Sequence, residues 1–186
     1  MKKIKLTWNN VLLCLGFIFA VVPIICLAGA GYQISLFEDG EFVRYSDNLA
    51  GFFFGYHTLK LYATSGSESL SMTQHFKGGV SVLGLLSLIL LILGIAGMIA
   101  ATALKKPIIR LFISPVILLS GIFMFCLLIA GSDIEGIPFD EQYVVYEPYK
   151  GGLGVGAILY GVFAILSSGC FVANNLIRKE LPISKK

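Results

Sequence analysis

Charge is scarce in this chain. Asp, Glu, Lys and Arg make up 13% of its 186 residues, against about 25% in soluble domains. The shortage is regional. Residues 11–30, 80–103, 111–130 and 153–173 contain no charged side chain at all. That pattern excludes disorder and argues against a soluble globule. It also argues against a proton-coupled transporter, which keeps ionisable groups inside its spans. Histidine is rarer still: only His57 and His75, both outside the apolar runs. There is no H-E-x-x-H, no G-x-S-x-G and no phosphate-binding glycine loop in a polar region, so a catalytic set is not expected. The four cysteines, Cys14, Cys26, Cys126 and Cys170, all sit in apolar runs with no C-x-x-C spacing. They read as small apolar fillers, and an outer disulfide framework is excluded.

What is there is length. Each uncharged run has at least 20 residues, enough for an α-helix to cross a hydrocarbon core of about 30 Å. The expected spans are about 11–30, 80–103, 109–130 and 153–176. Ala28-Gly29-Ala30 also fits a signal-peptide cleavage site, but the run exceeds an h-region of about 7–15 residues, so a retained helix is expected. Leu104-Lys-Lys-Pro107 then forms a short turn that makes its two helices antiparallel neighbours.

Charge location supplies the orientation. Of the 14 basic residues, ten lie in 1–5, 105–110 and 178–186; of the 11 acidic residues, ten lie in 31–77 and 131–150. Short cytoplasmic loops are rich in Lys and Arg, so both termini and the 104–107 turn are expected in the cytoplasm. This asymmetry is a topology signal and does not point to nucleic acid. The expected fold is an all-α membrane domain over 1–186: a bundle of four transmembrane helices with a small antiparallel β-rich cap. The cap would come from outer loops 31–78 and 131–151.

Within the first outer loop, Tyr32–Tyr45 reads as a hairpin turning at Asp39-Gly40. His57–Tyr62 is a third strand candidate, and Gln142–Glu147 a possible fourth. Thr64–Gln74 reads as a Ser/Thr-rich loop, and Asn48–Tyr56 as a connecting loop. The latter holds Phe52, Phe53 and Phe54 between glycines, either packed under the sheet or dipping into the outer leaflet, or forming a docking patch for a partner protein. The acids Glu38, Asp39, Glu41, Asp133, Glu135, Asp140 and Glu141 could offer oxygens to Ca²⁺. Their spacing fits no EF-hand, and no metal or cofactor is expected.

The last span carries small residues at steps of three and four: Gly154, Ala157, Gly161, Ala164 and Ser168. Small residues let helix backbones approach closely in lipid, where no hydrophobic drive joins helices. Gly16, Ala20 and Pro23, and Ser87, Gly94, Gly97 and Ala101, form weaker stripes. They serve packing within the bundle or a homo-oligomer.

The layout resembles the tetraspan arrangement of claudins: four spans, both ends inside, a long first outer loop with strands and a shorter second. Residues 31–77 contain neither Trp nor Cys, so the claudin motif of Trp, Gly-Leu-Trp and two cysteines has no counterpart there. The resemblance implies layout alone. The function expected is non-enzymatic: an accessory or scaffold subunit in the cell membrane that binds another membrane or surface protein. An oligomeric channel or transport component is the alternative, and a membrane immunity protein a weaker one.

Overall fold

The computed structural model describes residues 7–38, 41–65, 67–77, 80–130 and 152–177. Their elements run α1 (Trp8–Ile25), β1 (Ala30–Glu38), β2 (Glu41–Asn48), α2 (Leu49–Phe54), β3 (Tyr56–Ser65) and β4 (Glu68–Lys77). Then follow α3 (Val82–Ala103), α4 (Pro107–Ala130), β5 (Gly152–Leu153) and α5 (Val155–Leu176). Four of the helices are long and apolar enough to cross a membrane: Trp8–Ala28, with its terminal 3-10 turn, Val82–Ala103, Pro107–Cys126 and Val155–Leu176.

Local chemistry sets the helix ends. Thr7 Oγ1 accepts from Asn10 N at 3.3 Å, capping α1. The α3–α4 turn is a Schellman stop. Lys106 N donates to Ala101 O at 3.0 Å and Lys105 N to Thr102 O at 3.1 Å. Lys105 stands where glycine is usual, in the left-handed region at φ 54°. Pro107, with φ already fixed and no N–H to lose, then opens α4.

The described chain forms two compact units. The first comprises residues 7–25, 86–123 and 159–177. Its helices meet at glycines. A Cβ on Gly16 would lie 2.7 Å from the ring of Phe171, one on Gly97 2.9 Å from Ile113, and one on Gly121 2.9 Å from the carbonyl oxygen of Gly161. The Phe17 and Phe171 rings meet edge to face at 5.1 Å. Buried hydroxyls bridge helices. Ser87 Oγ donates to Ser120 O at 2.8 Å, and Ser120 Oγ lies 3.0 Å from Tyr160 Oη. Ser168 Oγ donates to Ser114 O at 2.9 Å, and Ser167 Oγ to Gly16 O at 2.8 Å. In lipid such hydroxyls have no water to bond, so helix-to-helix bonds satisfy them.

Gly121→Val should therefore destabilise this unit by about 1–3 kcal/mol. A backbone carbonyl cannot step aside as a side chain can. The check is the fraction of purified protein that stays monodisperse after graded heating; wild-type survival would refute it.

The second unit comprises described residues of 26–85, 124–130 and 152–158. It is built on one antiparallel sheet in the order β4-β3-β2-β1-β5. The expected hairpin is present: Glu38 partners Glu41, with Asp39 and Gly40 between them. Its first strand has a bulge between Ala30 and Tyr32. A Cβ on Gly31, within it, would lie 2.8 Å from Leu49 Cα, so the bulge needs glycine there.

Three expectations change. Thr64–Gln74 is strand, not loop: Ser65 partners Glu68, so β3 and β4 form a second hairpin across Gly66-Ser67. Asn48–Tyr56 encloses a helix, α2. Among the described residues there are five strands; the two not expected are β4 and β5, the latter being Gly152–Leu153 paired with Gln33 and Tyr32. The candidate strand Gln142–Glu147 lies outside the described residues.

Candidate functional site

The sheet unit carries the three candidate docking phenylalanines and an exposed edge strand. Its organising feature is the corner between β2 and β3. Asn48 Oδ1 accepts from Gly51 N at 3.1 Å and caps α2. Gly55, left-handed at φ 71°, ends it, its N–H donating to Gly51 O at 2.8 Å. Six residues are too few for a helix to stand by propensity. Packing and caps hold it.

The helix sorts the three phenylalanines. Phe52 and Phe53 are buried, at 8% and 2% exposure, while Phe54 is 54% exposed. Phe52 meets His57 edge to face at 5.6 Å. Phe53 lies against Gly84, where a Cβ would sit 3.1 Å from its ring. Two of the three candidate docking residues are thus buried, and only Phe54 is exposed.

A polar knot fastens the same corner. His57 Nδ1 and Asp47 Oδ2 are 2.5 Å apart, both residues buried. Asp47 Oδ1 accepts from Asn48 N at 2.8 Å and Thr58 N at 3.1 Å. Thr58 Oγ1 lies 3.1 Å from Nδ1 of the other histidine, His75. The carboxylate thus holds one imidazole while the hydroxyl meets the other. The arrangement ties β2, β3 and β4 together across the sheet.

The remaining surface is β4. Among the described residues it pairs on one side only, with β3. Residues 69–75 are all exposed, with Leu70 at 47% and Met72 at 51%. In a two-residue hairpin the flanking pair exchanges both hydrogen bonds, and the pairs alternate from there. Ser65 and Glu68 are that pair. Ser69, Ser71, Thr73 and His75 therefore turn their N–H and C=O groups away from β3. Natural edges are guarded by Lys, Pro or bulges. Ser69–Phe76 carries no Lys, Pro or acid, and its register runs without a shift.

The five small residues of the last stripe, Gly154 just before α5 and Ala157, Gly161, Ala164 and Ser168 within it, are all buried. A Cβ on Gly154 would meet the carbonyl oxygen of Ala30, and Gly161 faces Gly121. Of the acids considered for a cation, Asp39, Asp133, Glu135, Asp140 and Glu141 lie outside the described residues. Sequence reasoning passed over β4, although Gly66-Ser67 is a two-residue hairpin signal. The chain matches no protein family and no curated protein.

Proposed function

We propose that the chain is a multi-pass protein of the cell membrane, with both termini cytoplasmic and the sheet outside. It acts as a non-enzymatic accessory subunit that recruits another membrane or surface protein by adding one of the partner's strands to β4. The observation that carries this is the edge of β4 from Ser69 to Phe76, free of Lys, Pro and acid between Glu68 and Lys77. Its outward N–H and C=O groups offer main-chain bonds, Leu70 and Met72 offer side-chain grip, and Phe54 supplies a separate apolar contact. Strand addition of this kind draws affinity from the main chain and specificity from alternate side chains.

The topology has independent support. β1 follows the first span and β5 precedes the fourth, and they pair, so an even number of crossings separates them. The basic turn and both basic ends then share the opposite side, the cytoplasmic one by charge. The hydroxyls of Ser87, Ser120, Ser167 and Ser168, bonded to neighbouring helices, support a packed bundle over a pore through it.

The test is crosslinking in native membranes, gentle solubilisation and mass spectrometry of what accompanies the chain. Ser71→Pro and Thr73→Pro together remove two outward N–H groups without touching the bonds to β3. Recovery of a stoichiometric partner should fall at least tenfold while membrane insertion is unaltered. Undiminished recovery, or a homo-oligomer with no second protein, would overturn the reading.

A further inference from the structure

The other unit holds a cavity unrelated to the sheet. It occupies about 470 Å³ where α1 and α4 begin and α5 ends. Asn9, Arg110, Asn174 and Asn175 supply its polar lining, and Ile108, Leu111 and Ile177 much of the rest. Arg110 Nη1 donates to Asn174 Oδ1 at 2.8 Å. Asn174 Nδ2 in turn donates to Asn9 O at 2.6 Å and also to Asn9 Oδ1.

This polar set is incomplete. Arg110 Nε and Asn175 Oδ1 are buried and have no hydrogen-bond partner. A buried group without a partner costs about 1–3 kcal/mol, more if charged, and such orphans mark a missing ion, water or ligand. Among the described residues no carboxylate pairs with Arg110; the ion pair found is Asp47–His57. Among the described residues, the charged side chains beside the cavity are basic. Lys105 and Lys106 are exposed in the adjoining turn. Pro107 opens α4 with no acidic residue in its first turn, so the positive end of that helix dipole faces the same place without a counter-charge. The last turn of α5 opposes this with its carbonyl ends; one turn earlier, Phe171 O accepts from Asn175 Nδ2 at 3.0 Å.

We infer that this cavity binds the phosphate of an anionic phospholipid. The inference rests on the four helices spanning a bilayer, which puts their ends at headgroup depth. The phosphate takes the Arg110 guanidinium. A headgroup hydroxyl donates to Asn175 Oδ1, and the glycerol and first acyl carbons lie on Ile108, Leu111 and Ile177. Basic pockets between helix ends on the cytoplasmic side are the known physical solution for such headgroups. A free phosphate shares the anion chemistry but has no use for the apolar wall.

The test uses the purified full-length protein in neutral detergent, probed by native mass spectrometry with phosphatidylglycerol, phosphatidylcholine and inorganic phosphate. One phosphatidylglycerol should be retained per chain in preference to phosphatidylcholine, with inorganic phosphate a poor competitor. Arg110→Gln should weaken retention at least tenfold. Because Arg110 also braces Asn174, Asn175→Asp is the second variant. It keeps the side chain's shape, leaves the Arg110–Asn174 bond, and supplies a competing carboxylate, so it too should lose at least tenfold. Undiminished retention in a folded sample of either variant overturns the site. Displacement by equimolar inorganic phosphate overturns the lipid assignment. Partner recovery through β4 is unaffected by both variants, which separates failure here from failure of the accessory-subunit reading.

Discussion

Phe53→Ala should cost the sheet unit about 3–5 kcal/mol, the range for emptying a buried aromatic site, whereas Phe54→Ala should cost less than about 0.5 kcal/mol. The two residues are neighbours in sequence and chemically identical. They differ in that one is 2% exposed and the other 54%. The Phe53 site cannot collapse easily. Its ring already lies against Gly84, whose lack of a side chain makes room for it. The helix that carries it also spans only Leu49–Phe54, so no neighbouring turns would hold it once the anchor is gone. Hydrogen exchange of the β2 and β3 amides in the detergent-solubilised protein reads this directly. Equal exchange in the two variants would sink the claim. The same contrast governs tests of partner binding. Loss of binding in Phe53→Ala reports a damaged sheet, while loss in Phe54→Ala reports a lost contact.

Asp47→Ala should be comparably severe, about 3–5 kcal/mol, because it strips one partner from a buried, hydrogen-bonded pair. His57 loses its carboxylate, and the N–H groups of Asn48 and Thr58 lose their shared acceptor. Thr58 N keeps one bond, to Asn48 Oδ1 at 3.2 Å, which limits the damage at that strand. Asp47→Asn preserves an oxygen in the same place and should cost less, about 1–2 kcal/mol, the scale of a weakened hydrogen bond to a charged group. Limited proteolysis between β2 and β3 distinguishes them: rapid cleavage in Asp47→Ala, slower cleavage in Asp47→Asn. If Asp47→Ala resists cleavage as the wild type does, the knot contributes nothing to the corner.

The long helices were legible because their signal is one-dimensional. A run without charge needs no knowledge of neighbours, and the observed helix ends fall within about five residues of the expected ones. The first hairpin was legible for a similar reason, since Asp39-Gly40 is a local turn signal. The helix α2 was harder. Leu49–Phe54 is shorter than two full turns, so no period can show, although Asn48 and Gly55 are ordinary cap residues at its two ends. The strand β4 was hidden by its composition. Ser69, Ser71 and Thr73 look like loop residues, and because the strand is exposed on both faces its apolar side chains follow no burial pattern. The phenylalanine cluster was conspicuous in sequence, but which of the three faces outward depends on how six residues wind. The cavity around Arg110 had no signal at all. Asn9, Arg110 and Asn174 come together from three helices, and none belongs to a motif.

The sheet is closed by its shortest strand. β1 to β4 form one continuous meander, complete when the chain reaches Lys77. β5 belongs to a segment made only after two further long helices. During synthesis the β1 edge therefore stands open while α3 and α4 are being made, and Gly152–Leu153 latches it last. The closest backbone approach of the latch, Gly154 against Ala30 and Gly156 against Gly29, is made by residues with nothing to clear on the way in. Assembly then has a built-in order. The first turn of the fourth long helix then seats against Gly29 and Ala30, where β1 begins.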